Sequence, residues 1–185
     1  MIRTVYPPAV VFDDVAAIEA CLRRMADVPG ETAGLTELDH ALQCAERLAE
    51  ASPDDLALQV AGLVHDIGHN FGDDDAHPRL GAAAVRRVLG ERVATLVGLH
   101  VEAKRYLVAT EAAYQACLSG VSAYSLTLQG GAMSPAEVAG FEAEPQAAAA
   151  VTLRRADEAA KVAGRATAGL DAWLRALRRV SGDAR

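Results

Sequence analysis

The side chains able to do chemistry gather in one part of this sequence. All five histidines, His40, His65, His69, His77 and His100, fall between positions 40 and 100. The stretch Val64-His65-Asp66-Ile67-Gly68-His69 packs three metal-ligating or acid–base groups into six residues. On a helix, adjacent side chains diverge by about 100°, whereas His65 and His69, four apart, share a face. An adjacent His-Asp pair can therefore feed two neighbouring metal positions, with the carboxylate of Asp66 as the bridge. His40 before this stretch and Asp157 far behind it complete a pattern H…HD…H…H…D. Imidazole nitrogen and carboxylate oxygen suit iron, manganese, cobalt or zinc rather than calcium. Six such ligands, one of them bridging, fit two ions better than one. A single histidine at the edge of an apolar arc is more often a satisfied core or surface residue, and an isolated His-Asp pair occurs by chance. Five histidines at this spacing, with acids at both ends, outweigh that blander reading.

The elements that must position these groups read as helices. Ser52-Pro53-Asp54-Asp55 predicts a capped start before Leu56, after which Leu56, Val60, Leu63, Val64 and Ile67 recur at helical spacing and carry His65 and Asp66 at the inner end. A helix over 12–27 buries Val15, Ile18, Leu22 and Met25. One over 37–50, with Thr36 as cap, sets His40 and Cys44 at the edge of an apolar arc, opposite a wet face of Asp39, Gln43, Glu46 and Glu50. The Gly- and Asp-rich segment from Phe71 puts His77 just before Pro78, a helix-start residue, and could fold over the site. A helix near 91–107 brings His100 and Lys104 to a common side, one turn apart. Further helix is expected over 111–129, ended by Gln129-Gly130-Gly131. Ser134-Pro135-Ala136-Glu137 reads as a capping box. The last helices run over 146–162, with Asp157 inside, and 166–180, with Trp173 buried.

Composition sets the class. The chain has 185 residues, 51% of them hydrophobic, 4% aromatic and many of them alanine, which favours a single all-α domain of close-packed helices: a metal-binding core over about 36–162 with the helices 12–27 and 166–180 packed on it. A net charge of −7 gives no basic stripe for nucleic acid. Arg175, Arg178 and Arg179 read as the solvated side of a last helix, well placed for its dipole. Cys21, Cys44 and Cys117 form no CxxC and are expected to be reduced and semi-buried. No apolar run is long enough to span a membrane, and the N-terminal hydrophobic piece is broken by Pro7-Pro8, so a cytoplasmic protein without membrane partners is expected.

The order His40, His65-Asp66, Asp157 resembles the HD-domain superfamily, helical metal-binding proteins of which most hydrolyse phosphate esters. The stretches LDHALQCA (38–45), GLVHDIGH (62–69), HVEAKRYLV (100–108), LQGGAM (128–133) and LRRADEAAK (153–161) are more closely similar to the phosphonate-cleaving HD-domain diiron oxygenases of the PhnZ type. This resemblance implies an HD-domain helical bundle and a mixed-valent Fe(II)/Fe(III) pair. It also implies an O2-dependent reaction that breaks the C–P bond of a small organophosphonate, by default 2-amino-1-hydroxyethylphosphonate to glycine and phosphate. Carried across by position, His40, His65, Asp66 and Asp157 hold one iron, and Asp66 bridges to a second held by His77 and His100. His69 becomes an acid–base or hydrogen-bonding group beside the substrate, and Lys104, Ser122 and Arg154 grip the phosphonate dianion. An upstream hydroxylase that makes the substrate is implied by the likeness alone. Taken by themselves, Lys104, Ser122 and Arg154 read as solvated surface groups, whereas aspartate inside a helix, as at Asp157, goes against its propensity.

The sequence departs from the family in the loop before His40. Members carry Tyr-x-Gly-Glu there, the tyrosine closing the iron site and the glutamate meeting a substrate ammonium. Here the segment is Val28-Pro29-Gly30-Glu31, so the tyrosine is replaced by Val28 while Glu31 stays available to the substrate. Two other functions compete with the oxygenase: a divalent-metal HD phosphohydrolase acting on a phosphate ester or nucleotide, and a non-catalytic HD module. Retention of every ligand position disfavours the module, and His77, His100 and Lys104 with LQGG favour the oxygenase.

Overall fold

A computed structural model describes residues 10–73 and 75–182. Pro7-Pro8 and Asp74 of the Gly/Asp-rich segment lie outside the described residues. Among those described, nine α-helices and no strand are found: α1 Val15–Arg24, α2 Glu37–Ala51, α3 Leu56–Val64, α4 His77–Thr110, α5 Ala112–Cys117, α6 Gly120–Leu128, α7 Pro135–Glu142, α8 Ala147–Ala159 and α9 Leu170–Ser181. The expected all-α class is met. α2 and α3 pack against each other, α4 lies across α3 and α8, and α8 also rests on α2. His40, His65, His100 and Asp157 come from these four helices or their ends, so the tightest packing in the molecule is what brings them together.

Local chemistry explains where the observed helices differ from those expected. α1 starts at Val15 because the Asp14 carboxylate accepts from Ala17 N, and a 3-10 turn, Met25–Asp27, follows it. Its buried face is as expected, with Val15, Ile18 and Leu22 joined by Cys21. α3 does not begin at Pro53. The Gln59 amide holds the carbonyls of Ser52 and Pro53 at 2.8 and 3.1 Å, the chain turns there, and Asp55 is the cap, accepting from Leu58 N. Helix α2 has its capping box from Thr36 and Asp39. Gln43 is not on a wet face: it is fully buried, donating to Val162 O at 2.9 Å and accepting from Val162 N at 3.2 Å, which ties the segment after α8 to α2. The expected helix over 111–129 is two helices. Leu118 is extended, and the Ser119 hydroxyl caps α6 by accepting from Ser122 N. α8 and α9 are shorter than expected, ending at Ala159 and starting at Leu170. Trp173 is buried, and Arg175, Arg178 and Arg179 are exposed as expected.

Two glycines bear on how the site is held. α4 is two helical halves meeting at Gly90, whose φ of 82° suits only glycine. At Gly68, a Cβ would overlap the backbone oxygen of His77 and stand 2.7 Å from Gly81 N. The close approach at Gly68 seats the turn after α3 on the start of α4, next to His69 and His77. Gly68→Ala is expected to cost about 3 kcal/mol, at the upper end for an overpacked core site, and to lower the melting temperature. A melting temperature within a degree or so of wild type would remove the claim of close seating.

The cysteines correct one expectation: Cys21 and Cys44 are fully buried, but Cys117 is exposed. Burial pushes the Cys44 thiol up to about 12, so it is inert packing. No helix among the described residues is long and apolar enough to cross a membrane.

Candidate metal and substrate site

Helix α3 stops at Val64, and Asp66, at φ −97° and ψ 4°, turns the chain into a 3-10 turn, Ile67–Asn70. His65 and His69 therefore do not share one helical face, as expected from an unbroken helix. The turn instead aims Asp66 between two sets of imidazoles. Asp66 Oδ2 lies 3.1 Å from His65 Nε2 and 3.5 Å from His40 Nε2. Asp157 Oδ1 closes this first set, 3.2 Å from His40 Nε2 and 3.7 Å from His65 Nε2. The other oxygen, Asp66 Oδ1, lies 3.4 Å from His100 Nε2, 3.5 Å from His77 Nε2 and 3.8 Å from His69 Nε2. The metal-competent groups of the described residues follow this division: His40, His65 and Asp66 on one side, Asp66, His69 and His77 on the other. His69 stacks on His77 with ring centres 3.8 Å apart, beside the second set.

The donor chemistry fits a cation at both places. His40 Nδ1 donates to Ala160 O at 3.0 Å, His65 Nδ1 to Gly62 O at 2.8 Å and His100 Nδ1 to Val97 O at 2.7 Å. A carbonyl can only accept, so these protons sit on Nδ1 and each Nε2 presents a lone pair to the centre, the arrangement of metal-bound histidines. His40 Nε2 and His65 Nε2 then face each other at 3.3 Å in a buried site. Two lone pairs at that distance beside two carboxylates call for a positive charge between them.

Without a metal, protons take that role. Burial opposes the charged form of His40, yet the hydrogen bonds to Asp157 and Asp66 outweigh it and lift its imidazole to about 9; His65 is raised by the same acids against its burial. Burial would raise Asp66 and Asp157, but the surrounding imidazoles, with Arg154 beside Asp157, hold both well below the carboxylate range. His100, fully buried, is lowered. A histidine raised on folding contributes stability that is complete below its unfolded pKa of 6.5 and lost as pH rises through about 9. The metal-free protein is therefore expected to lose melting temperature between pH 6.5 and 9, whereas the metal-loaded protein stays level because the ion replaces the proton. Scanning calorimetry with and without chelator checks this, and a metal-free melting temperature that rises across that window would contradict the protonated cluster.

The second half of the site is a cavity of about 340 Å³ that opens from the His/Asp cluster and is lined also by Val28, Glu31, Lys104, Ser122 and Arg154. Lys104, Ser122 and Arg154 are all buried, so the surface reading of each is excluded. Lys104 Nζ donates to Ser125 Oγ at 2.9 Å, and burial, then the nearby Arg154, push it down to about 8. Arg154 is braced by its neighbours: Nε donates to the Tyr114 hydroxyl at 2.7 Å and the remaining nitrogens to Asp157, Glu158 and Ser122. The Ser122 hydroxyl donates to Glu158 and accepts from Arg154 and Lys161, so its one proton is already placed. Of the expected phosphonate grips, Lys104 is the cation least occupied by the protein itself. The described residues of the Gly/Asp-rich segment, 71–73 and 75–76, do not line the cavity, contrary to expectation. Phe71 instead packs edge-on against Phe12.

Sequence reasoning missed Lys161, Glu158, Ser125 and Glu37, all in or against the cavity wall. A signal was present for one of them: Glu158 stands four residues after Arg154, one turn along α8, whereas Lys161 lies beyond the end of that helix. Ser125 and Glu37 carry no such signal.

Known proteins are similar to this chain in sequence. The sequence matches the HD domain over residues 38–161. It is 42% identical over 141 residues to a hydroxymethylphosphonate dioxygenase of Gimesia maris, covering 70% of each chain. It is 38% identical over 137 residues to a [1-hydroxy-2-(trimethylamino)ethyl]phosphonate dioxygenase (glycine-betaine-forming) of Leisingera caerulea, covering 69% of each. Both relatives are oxygenases rather than phosphohydrolases, and an enzyme rather than a non-catalytic module is what this chain is similar to. The chain belongs to the HD-domain family, and within it to the oxygenases of the PhnZ type.

Proposed function

We propose that the protein is a diiron, O2-dependent oxygenase that cleaves the C–P bond of a 1-hydroxyphosphonate. The observation that carries this is Asp66, whose two oxygens face two separate sets of imidazoles at the end of a cavity walled by the buried ammonium of Lys104. The reaction R–CH(OH)–PO3H2 + O2 → R–COOH + H3PO4 balances. The C–H and C–P bonds break, one new oxygen goes to carbon and one to phosphorus, and O2 takes the four electrons.

In this reading His40, His65, Asp66 and Asp157 would hold one iron, and Asp66, His77 and His100 the other, as a mixed-valent pair. When bound, the pair supplies the one-electron chemistry that O2 needs and polarises the substrate hydroxyl. The chain's own residues do the rest. Lys104, itself buried, meets the phosphonate dianion, and a charge-assisted hydrogen bond there is stronger than at the surface. Arg154, held by Tyr114, Glu158 and Asp157, fixes Asp157 and adds positive potential to the same wall. His69 Nε2, on the open side of the second set, is placed to take a hydrogen bond from the substrate's hydroxyl. The Nδ1–H groups of His40, His65 and His100 are locked on backbone carbonyls, so the Nε2 atoms of these three cannot rotate away.

The test is O2 uptake with phosphate release on iron-loaded protein, across 1-hydroxyphosphonates that include hydroxymethylphosphonate and 2-amino-1-hydroxyethylphosphonate. Stoichiometric uptake and release with one of them is expected, together with a mixed-valent EPR signal. No uptake with any of them in an iron-replete sample would end this reading.

A further inference from the structure

One group of charges in the cavity wall is already closed upon itself. Lys161 Nζ donates to Glu31 Oε2 and Ser122 Oγ, both at 2.7 Å, and its third N–H lies within reach of Glu158 Oε2 at 3.3 Å and Ser119 Oγ at 3.4 Å. The Ser119 hydroxyl in turn donates to Glu31 Oε2 at 3.1 Å. The Lys161 side chain is 10% exposed and Glu31, its partner on the loop before α2, 33%. Glu158 is shared between Lys161 and Arg154. Glu31 and Glu158 thus each face a cation of the chain itself, and the Lys161 ammonium bridging them is mostly removed from solvent.

This bears on what the wall can accept. An ammonium on a ligand binds where a carboxylate is short of a partner. To reach Glu31 it must displace Lys161 from four acceptors, or else lie next to that cation and to Lys104 in a poorly screened space. The other carboxyls lining the cavity lie at its metal-binding end: Asp66 and Asp157 face the imidazoles, and Glu37 has Asp66, His40, His69 and His65 as its charged neighbours. A small uncharged substituent meets none of these costs, and Val28 and Val121 supply apolar surface in the same lining.

We infer that Lys161 is a specificity-determining residue: as the built-in counter-ion of Glu31, it restricts the substrate to 1-hydroxyphosphonates whose remaining substituent is uncharged and turns away those that bear an ammonium. The inference rests on the phosphonate-cleaving function proposed above and narrows its substrate class away from 2-amino-1-hydroxyethylphosphonate, the default from sequence.

The experiment is anaerobic titration calorimetry on the iron-loaded protein with methylphosphonate and 2-aminoethylphosphonate as probes. Wild type should bind methylphosphonate more tightly by about tenfold or more, the scale of one hydrogen bond between charged groups. Lys161→Met, which leaves Glu31 without its cation, should invert the order, and Lys161→Met with Glu31→Gln should cancel the inversion. Lys161→Arg should keep the wild-type order. Glu31→Gln alone, which frees Lys161, should widen the preference for methylphosphonate, so the inference stays exposed to refutation even if Lys161→Met does not fold. Equal binding of the two probes by wild type overturns it. So does a ratio unmoved in a folded, iron-replete Lys161→Met, or a preference narrowed by Glu31→Gln. Turnover of hydroxymethylphosphonate alongside an unmoved ratio removes this inference alone. Failure of both probes to bind, with no turnover of any 1-hydroxyphosphonate, removes the functional reading and this inference together.

Discussion

Asp66→Ala is expected to lose both metal ions and all measurable turnover, because one carboxylate serves two seats. Its Oδ2 stands 3.1 Å from His65 Nε2 and its Oδ1 3.4 Å from His100 Nε2. Neither imidazole set has another acid in common. Removal leaves His77 and His100, 3.0 Å apart at their Nε2 atoms, with no negative charge to offset the ion they would share. The first seat keeps His40, His65 and Asp157, but loses the oxygen that sets its distance to the second. Asp157→Ala is the matched comparison: it touches only the first set, so one ion should be retained. Elemental analysis of the two purified variants reads both outcomes. Full retention of one ion in Asp66→Ala would argue against a bridged pair.

Lys104→Met should lower kcat/KM by about a hundredfold or more, the cost of removing one member of a buried charge pair. Methionine keeps the length and apolar stem, so the loss reports the charge rather than a cavity. A second signature follows from the pKa. Burial and Arg154 push the Lys104 ammonium down to about 8, and only its protonated form attracts a dianion. Affinity for the phosphonate should therefore fall as pH rises through about 8, and Lys104→Met should flatten that limb of the profile. A wild-type profile level through this range, or the same limb in the variant, would take Lys104 out of the grip.

How much of this was legible in the sequence depends on how local the cause is. Helix α2, with its capping box at Thr36 and apolar arc, was readable because cap and periodicity act within a few residues. The same holds for the capping box at Ser134 and the buried face of α1. The start of α3 was misread because Pro53 and two aspartates mimic a helix start, whereas Gln59 folds back on Ser52 and Pro53 to make a turn. Gln43 was misread for the same kind of reason: its partner, the backbone of Val162, lies 119 residues away, and no periodicity reports a partner that distant. Ser122 and Arg154 pass for surface groups until α6 and α8 are packed, when both prove buried.

The sequence by itself determined the all-α class, the imidazole and carboxylate donor types available to the site and the pairing of adjacent His65 and Asp66, since these follow from composition, propensity and side-chain chemistry. It also placed Lys104 one turn from His100. Only the tertiary structure decided that the two oxygens of Asp66 part toward different imidazole sets, because the helix ends at Val64 and the chain turns there against Gly81 and His77. It alone joined Lys161 to Glu31, which are 130 residues apart. Charge pairing at that separation depends on where packed helices set their ends, and the core that fixes those ends is a property of the whole chain.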